Sequence, residues 1–215
     1  MKVKWLGHSS FLITADDGTK IITDPYTTNE RLKYSDINES ADIAVISHEH
    51  GDHNNIAAVK GKPEVVKGAG TREIKKIKFE GVATYHDDSG GKQRGSNIMI
   101  CFVVDGVRVC HSGDLGHPLS GKEIKQIGKV DVLLLPVGGY YTIDAKVASE
   151  VVMRLDPKVV IPMHFKNEKC NFPISGVDKF LQGKTNVTKL NISEVEFKVE
   201  TLPTNTQIMV LEPAL

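Results

Sequence analysis

The sequence predicts a sheet-rich α/β domain, and three observations predict it. Apolar, β-branched runs such as Ile43-Ala44-Val45-Ile46 are too short for ordinary helices and read as buried strands. Hairpin signals, the plainest being Asp105-Gly106 between two apolar runs, tie neighbouring strands together. Helix-type stretches at 120–127 and 142–155 lie between later strands as crossovers. No linker or low-complexity tract divides residues 1–215, so one domain is expected, and 215 residues can bury a sizeable core.

In chain order, residues 3–14 read as a first strand containing His8, closed by Ala15-Asp16-Asp17-Gly18 and answered by a second strand at 20–23. Pro25 stops that strand, because proline cannot donate to a central ladder. Asp24 before it is either a turn cap or an acceptor for a metal-binding histidine. Residues 27–41 are polar and aperiodic, a loop expected over the site. Residues 54–60 suit a helix start with an apolar stripe, and 63–66 another short strand. Residues 71–85 read as two strands broken at Glu80-Gly81 that deliver His86 to a strand end. The glycine-rich loop 86–97 follows, and its Arg94 either pairs with Asp87 or Asp88 or grips an anionic substrate group.

Residues 98–104 and 107–110 form a hairpin with a two-residue loop, which sets Cys101 opposite Cys110 in a close, non-hydrogen-bonded pair. Ser120 and Glu123 suit a capping box for a helix over 120–127. A buried strand at 130–137 runs into Gly138-Gly139-Tyr140-Tyr141. The longest predicted helix, 142–155, sets Ala145, Ala148, Val152 and Leu155 on one face and stops before Pro157. A strand at 159–162 leads to His164, and closing strands lie within 195–211.

Composition narrows the function. Hydrophobic residues make up 40%, charged residues 25%, and the net charge is zero, which speaks against a duplex nucleic-acid surface. Lys75-Lys76-Ile77-Lys78 reads as the solvated side of an edge strand. No charged-then-apolar leader opens the chain, and no apolar run approaches the ~20 residues of a membrane span. Three cysteines, Cys101, Cys110 and Cys170, are an odd number without metal-type spacing. A reducing, cytoplasmic setting is expected, with the thiols free.

The strongest local signal is His48-Glu49-His50-Gly51-Asp52-His53, directly after the run 43–46. Imidazole and carboxylate are the donors that zinc, manganese and iron accept. Two histidines at i and i+2, then Asp and His at i+4 and i+5, exceed what one cation takes from one turn, so two metals are expected.

This motif resembles the metallo-β-lactamase superfamily. Tyr85-His86-Asp87, His111-Ser112-Gly113-Asp114 and Pro162-Met163-His164-Phe165 follow in the order in which that superfamily places its remaining ligands. Trp5-Leu6-Gly7-His8-Ser9-Ser10-Phe11 and the stretch 86–97 are similar to a branch of small stand-alone hydrolases that includes ascorbate-6-phosphate lactonase and, more distantly, N-acylphosphatidylethanolamine phospholipase D. The resemblance implies a four-layer αββα sandwich with the metals along the shared edge of its sheets. It implies that His48, His50 and His86 hold one divalent ion, that Asp52, His53 and His164 hold the other, and that Asp114 bridges them. Zinc is the first choice, with manganese or iron as alternatives. A metal-bridging hydroxide would then attack an ester, lactone or phosphodiester, with Asp52, Asp114 and His8 as catalytic candidates. Arg94 and Tyr141 are the candidate substrate contacts for a small, anionic molecule. A non-catalytic metal-binding module is the alternative. A di-iron redox relative is disfavoured, because such proteins carry a carboxylate where His50 stands.

Overall fold

The computed structural model describes residues 1–215. Its strands are β1 (Lys2–Gly7), β2 (Ser10–Thr14), β3 (Lys20–Thr23), β4 (Ile43–Ile46), β5 (Glu64–Lys67), β6 (Gly70–Ile74), β7 (Ile77–Tyr85), β8 (Ser96–Val104) and β9 (Val107–His111). Helix α1 (Gly121–Ile127), β10 (Val132–Pro136), α2 (Ala145–Leu155), β11 (Val159–Met163) and α3 (Asp178–Leu181) follow. Strands β12 (Val187–Lys189), β13 (Glu194–Glu196) and β14 (Gln207–Val210) complete the chain. They build a six-stranded sheet, β13-β1-β2-β3-β4-β5, and an eight-stranded sheet, β12-β14-β11-β10-β9-β8-β7-β6.

Period-two alternation sorts the smaller sheet's side chains into two cores. Phe11, Ile13, Ile21, Ile43 and Val45 belong to the large core shared with β8 to β11, while Leu12, Ile22, Ala44 and Ile46 belong to a second cluster. The two-sheet α/β sandwich is thus the architecture expected. The outer apolar face of the smaller sheet is covered by Tyr26, Leu32, Tyr34, Ile37, Cys170 and Ile174, all from irregular segments. The helices keep to the larger sheet: α1 lies against β7, and α2 is the crossover between the parallel neighbours β10 and β11.

Several boundaries differ from the sequence reading. Residues 3–14 are two antiparallel strands, with Lys2 opposite Thr14 and Trp5 opposite Phe11, so His8 sits in a tight turn with φ 51° rather than inside a strand. Gly7 permits the turn: its φ is 136°, and a Cβ there would lie 2.6 Å from the Tyr34 ring. The break in 71–85 falls at Lys75-Lys76, left-handed at φ 49° and 63°, which closes a two-residue hairpin loop with Ile74 opposite Ile77. Gly81 instead lies inside β7, where the Gly68 carbonyl occupies the space of a side chain. Two of the basic cluster's three lysines therefore lie in the turn, and Lys78 lies in β7.

The helix expected over 54–60 is one 3-10 turn, Ile56–Ala58, because Lys60 bridges to Ser40. Helix α2 starts at Ala145, capped by Asp144 Oδ1, which accepts from the Lys146 and Val147 amides at 3.0 and 2.9 Å. Its buried face is Ala148, Val151 and Leu155, with Val151 in place of the Val152 expected there. The closing strands begin with β12, ahead of the 195–211 window. The capping box of Ser120 and Glu123 and the Asp105-Gly106 hairpin stand as read. No helix is long and apolar enough to cross a membrane.

Candidate metal centre

Every expected ligand lies just beyond the C-terminal end of a strand. After β4 the chain turns on itself, with the His53 and Asn54 amides both donating to the His50 carbonyl at 2.9 and 3.1 Å. That turn buries His48 and His53 and leaves His50 open to solvent. His86 follows β7. Asp114 follows β9 through Gly113, at φ 54°, where a side chain would strike Asn97 and Ser47. Asn97 pins the turn, accepting from the Asp114 amide and donating to the Ser112 carbonyl, each at 2.9 Å. His164 follows β11 in a left-handed conformation, φ 48°, its amide donating to the His8 carbonyl at 3.2 Å.

The structure brings these side chains into two adjoining groups. The ring nitrogens of His48, His50 and His86 lie within 4.8 Å of one another, as do ligand atoms of His8, Asp52, His53 and His164. Asp114 stands between the groups, its Oδ2 3.1 Å from His86 Nε2, 3.3 Å from His53 Nε2 and His164 Nε2, and 4.0 Å from His48 Nε2. The second group contains one member more than the sequence reading gave it, His8.

Outer partners fix which nitrogen of each ring faces the centre. Asp24 is fully buried, and its Oδ2 lies 3.0 Å from His53 Nδ1, 2.8 Å from His111 Nε2 and 2.6 Å from Ser47 Oγ. Its Oδ1 accepts from the Ser47 amide at 2.8 Å. Of the two roles open to Asp24 in the sequence, acceptor for a histidine is the one found. Because the Ser47 hydroxyl gives its proton to Asp24, it accepts from His48 Nδ1 at 2.9 Å. His86 Nδ1 donates to the Tyr141 carbonyl at 3.1 Å. In all three rings Nδ1 faces an outer acceptor and Nε2 points inward, the orientation that metal ligation requires.

Charges in the centre are strongly displaced. Burial opposes the charged form of His53, but the Asp114, Asp52 and Asp24 carboxylates outweigh it and hold the imidazolium well above its usual range. His86 is raised by Asp114 against burial. Burial and neighbouring His53 push His48 down to about 3, and burial with His164 pushes His8 down to about 4. Asp24, although buried, is held far below the carboxylate range by His111 and His53.

Buried polar atoms without an aligned hydrogen bond mark what such a site accepts. His48 Nε2, His53 Nε2 and Asp114 Oδ1 are buried and have no such partner. Leaving donors and acceptors unpaired is expensive, and a mixed imidazole and carboxylate set offers these atoms to a divalent cation. The residues present fit a metal.

A cavity of about 290 Å³ opens onto the centre, lined by His50, Asp52, His86, Asp114 and His164 together with Arg94, Tyr141 and Phe172. Phe172 carried no sequence signal. His8 Nε2 lies 3.1 Å from Asp52 Oδ2, so a neutral His8 donates there, and His8 bears on the centre through Asp52. Arg94 pairs with neither Asp87 nor Asp88; its guanidinium carbon lies 5.6 Å from the Tyr141 ring centroid. Tyr140 is 67% exposed, His117 accepts from the Tyr85 amide, and Lys166 lines a separate cavity beside Trp5.

Fold and site together define a family. The Beta-lactamase superfamily domain model matches residues 2–164, and the chain belongs to the metallo-β-lactamase superfamily. Within it, the relatives carry the name UPF0173 metal-dependent hydrolase. One from Archaeoglobus fulgidus is 31% identical over 196 residues, covering 77% of this chain and 83% of its own. Another from Staphylothermus marinus is 32% identical over 188 residues, covering 76% and 82%. A Thermotoga maritima crystal structure, described as a candidate Zn-dependent hydrolase of the metallo-β-lactamase superfamily, superposes with a TM-score of 0.81 at 36% identity over 98% of both chains.

Proposed function

We propose that this protein is a dinuclear metal-dependent hydrolase acting on a small ester, lactone or phosphodiester. His48, His50 and His86 would hold one divalent ion and Asp52, His53 and His164 the other, with Asp114 shared; zinc is the first choice. The observation that carries the reading is the gathering of seven donor side chains beneath one cavity: five of them line it, and His48 Nε2, His53 Nε2 and Asp114 Oδ1 are buried without an aligned hydrogen bond. Two divalent ions held there would lower the pKa of a water toward neutrality and would polarise the carbonyl or phosphoryl oxygen under attack.

The chain's own residues prepare the rest. Asp24 and Ser47 keep the Nδ1 protons of His53 and His48 on the outer side, which frees both Nε2 atoms. Asp114 supplies negative charge at the point where the two groups meet. Tyr141 and Phe172, with ring centroids 5.7 Å apart, form an aromatic wall that shields the reacting bond from bulk water. The three cysteines are buried and unbridged, which agrees with a reducing, cytoplasmic setting.

Metal analysis combined with a panel of lactones, esters and phosphodiesters tests the reading. Two equivalents of metal and turnover that chelation abolishes are expected. Two equivalents with no turnover anywhere in the panel would make the protein a metal-binding module instead.

A further inference from the structure

The loop carrying Arg94 is built so that its guanidinium has the Tyr141 ring beside it, 5.6 Å from the ring centroid, and no carboxylate partner. Asp87 is the nearest carboxylate in sequence, and a loop arginine would ordinarily pair with it. Here Asp87 is saturated by main chain: Oδ1 accepts from the Ser89 and Gly91 amides at 2.9 Å and the Ser89 hydroxyl at 2.7 Å, and Oδ2 from the Gln93 and Arg94 amides at 2.9 and 2.8 Å. Asp87 therefore folds the loop, and Arg94 gives it a backbone amide while its half-buried side chain turns away. The contact of that side chain is with the Tyr141 ring rather than with a carboxylate. The aromatic face offsets part of the cost of half-burying the guanidinium but supplies no counter-charge, which a ligand can bring.

The guanidinium stands between two spaces. On one side is the cavity over the metal centre; on the other is a groove of about 430 Å³ lined by Glu49, Lys67, Gly68 and Ser96. His50 and Arg94 line both. Lys67, the second cation of the groove, is bound to Glu49 at 2.9 Å, and both side chains are exposed, at 59% and 65%. An exposed pair of this kind is weak and exchanges readily.

Resting on the hydrolytic reading above, we propose that the groove is the subsite for an oxyanion of the substrate, a carboxylate or a phosphate. Arg94 takes the oxyanion in its planar fork, and Lys67 leaves Glu49 to join it. Because both spaces meet at His50 and Arg94, the anionic group lies one side chain's width from the bond that is cut. The substrate is then a small molecule with its charge close to the scissile bond, unlike a long neutral ester.

Titration of the metal-loaded protein with inorganic phosphate and, separately, with acetate tests this by calorimetry at fixed ionic strength. R94Q should weaken binding by roughly 10-fold or more, the scale for hydrogen bonds to a charged group, with metal content unchanged. K67Q should weaken it by about 3-fold, as expected for a more exposed charge. Preference for phosphate or for acetate in the wild type assigns the kind of oxyanion. Wild-type affinity in R94Q would overturn the proposal, since the anion then sits on the metals alone; wild-type affinity in K67Q would remove the groove from it. A second readout is the ratio of kcat/KM for nitrophenyl esters ending in carboxylate over those ending in methyl, which should favour the carboxylate and collapse in R94Q. If nothing in the panel of lactones, esters and phosphodiesters is cleaved while R94Q still loses phosphate, the anion subsite stands and the hydrolytic reading falls.

Discussion

Asp24→Asn removes one charge from the most constrained carboxylate of the molecule. Asp24 takes three donors on Oδ2 and the Ser47 amide on Oδ1. In the better orientation of the new amide, its oxygen replaces Oδ2 and its NH2 group is driven against the Ser47 N–H. Two buried donors are then unsatisfied, at ~1–3 kcal/mol each, and the buried His53 imidazolium keeps Asp114 and Asp52 but loses the third of its carboxylates. A loss of ~4 kcal/mol follows, in the range for breaking a buried pair. With a urea slope of ~2 kcal/mol/M, the unfolding midpoint of the metal-free variant should fall by ~2 M at unchanged slope. Metal affinity, read by competition with a chromophoric chelator, should fall ~10–100-fold because a neutral amide oxygen holds His53 Nδ1 and the Ser47 hydroxyl more weakly than the carboxylate and no longer raises the basicity of the ligand ring. A midpoint shift below ~0.5 M with unaltered metal affinity would show that Asp24 is only a turn cap and that the outer hydrogen bonds do not organise the centre.

Three further outcomes are expected. Asp114→Asn should reduce metal content from two equivalents toward one and hydrolysis by at least ~100-fold; two full equivalents in an active variant would remove Asp114 as the shared ligand. Metal loading near pH 7 should release protons, because His53, raised above its usual value of 6.5, must deprotonate to offer Nε2. Affinity should accordingly rise with pH through 6.5 and level off only above the raised value, and calorimetry at pH 7 in buffers of differing ionisation enthalpy would contradict this by showing no release. Thiol titration of freshly denatured protein should count three, since Cys101 and Cys110 lie with sulfurs 3.0 Å apart as buried thiols, and the Cys101 contact and burial hold the Cys110 thiol well above its usual range; a count of one would show a disulfide.

The ligand turns were legible because each is a compact string of rare residue types after a β-branched run, and the Asp105-Gly106 hairpin because its turn chemistry is local. His8 reads as part of a strand because apolar runs flank it on both sides, although Gly7-His8-Ser9-Ser10 between them is the polar, glycine-containing stretch at which the chain reverses. Gly81 misled for the opposite reason: it is in its strand to let the Gly68 carbonyl approach, a long-range requirement that looks like a break. Lys75-Lys76 gave no warning, since lysine has no preference for left-handed backbone. Phe172 and Ser47 take their roles from tertiary placement alone. The saturation of Asp87, which decides between the two readings of Arg94, is a property of five hydrogen bonds that no spacing encodes.

The centre is built from both sheets, and that governs how it forms. His48, His50, Asp52 and His53 follow β4 of the smaller sheet, whereas His86, Asp114 and His164 follow β7, β9 and β11 of the larger one. Neither sheet alone can bring the two groups together. Docking is already specified without any ion: Asp24 at the end of β3 reaches across to His111 at the end of β9 at 2.8 Å, and the Ile98 amide of β8 donates to the Ser47 carbonyl beside β4 at 3.0 Å. The same Ser47 and Asp24 set the tautomers of His48 and His53. One hydrogen-bonded network therefore aligns the sheets and aims the ligands, so an error in docking is also an error in ligand geometry. A metal ion bound across the groups would read the alignment of the whole sandwich and would stabilise the correctly docked state in preference to any other.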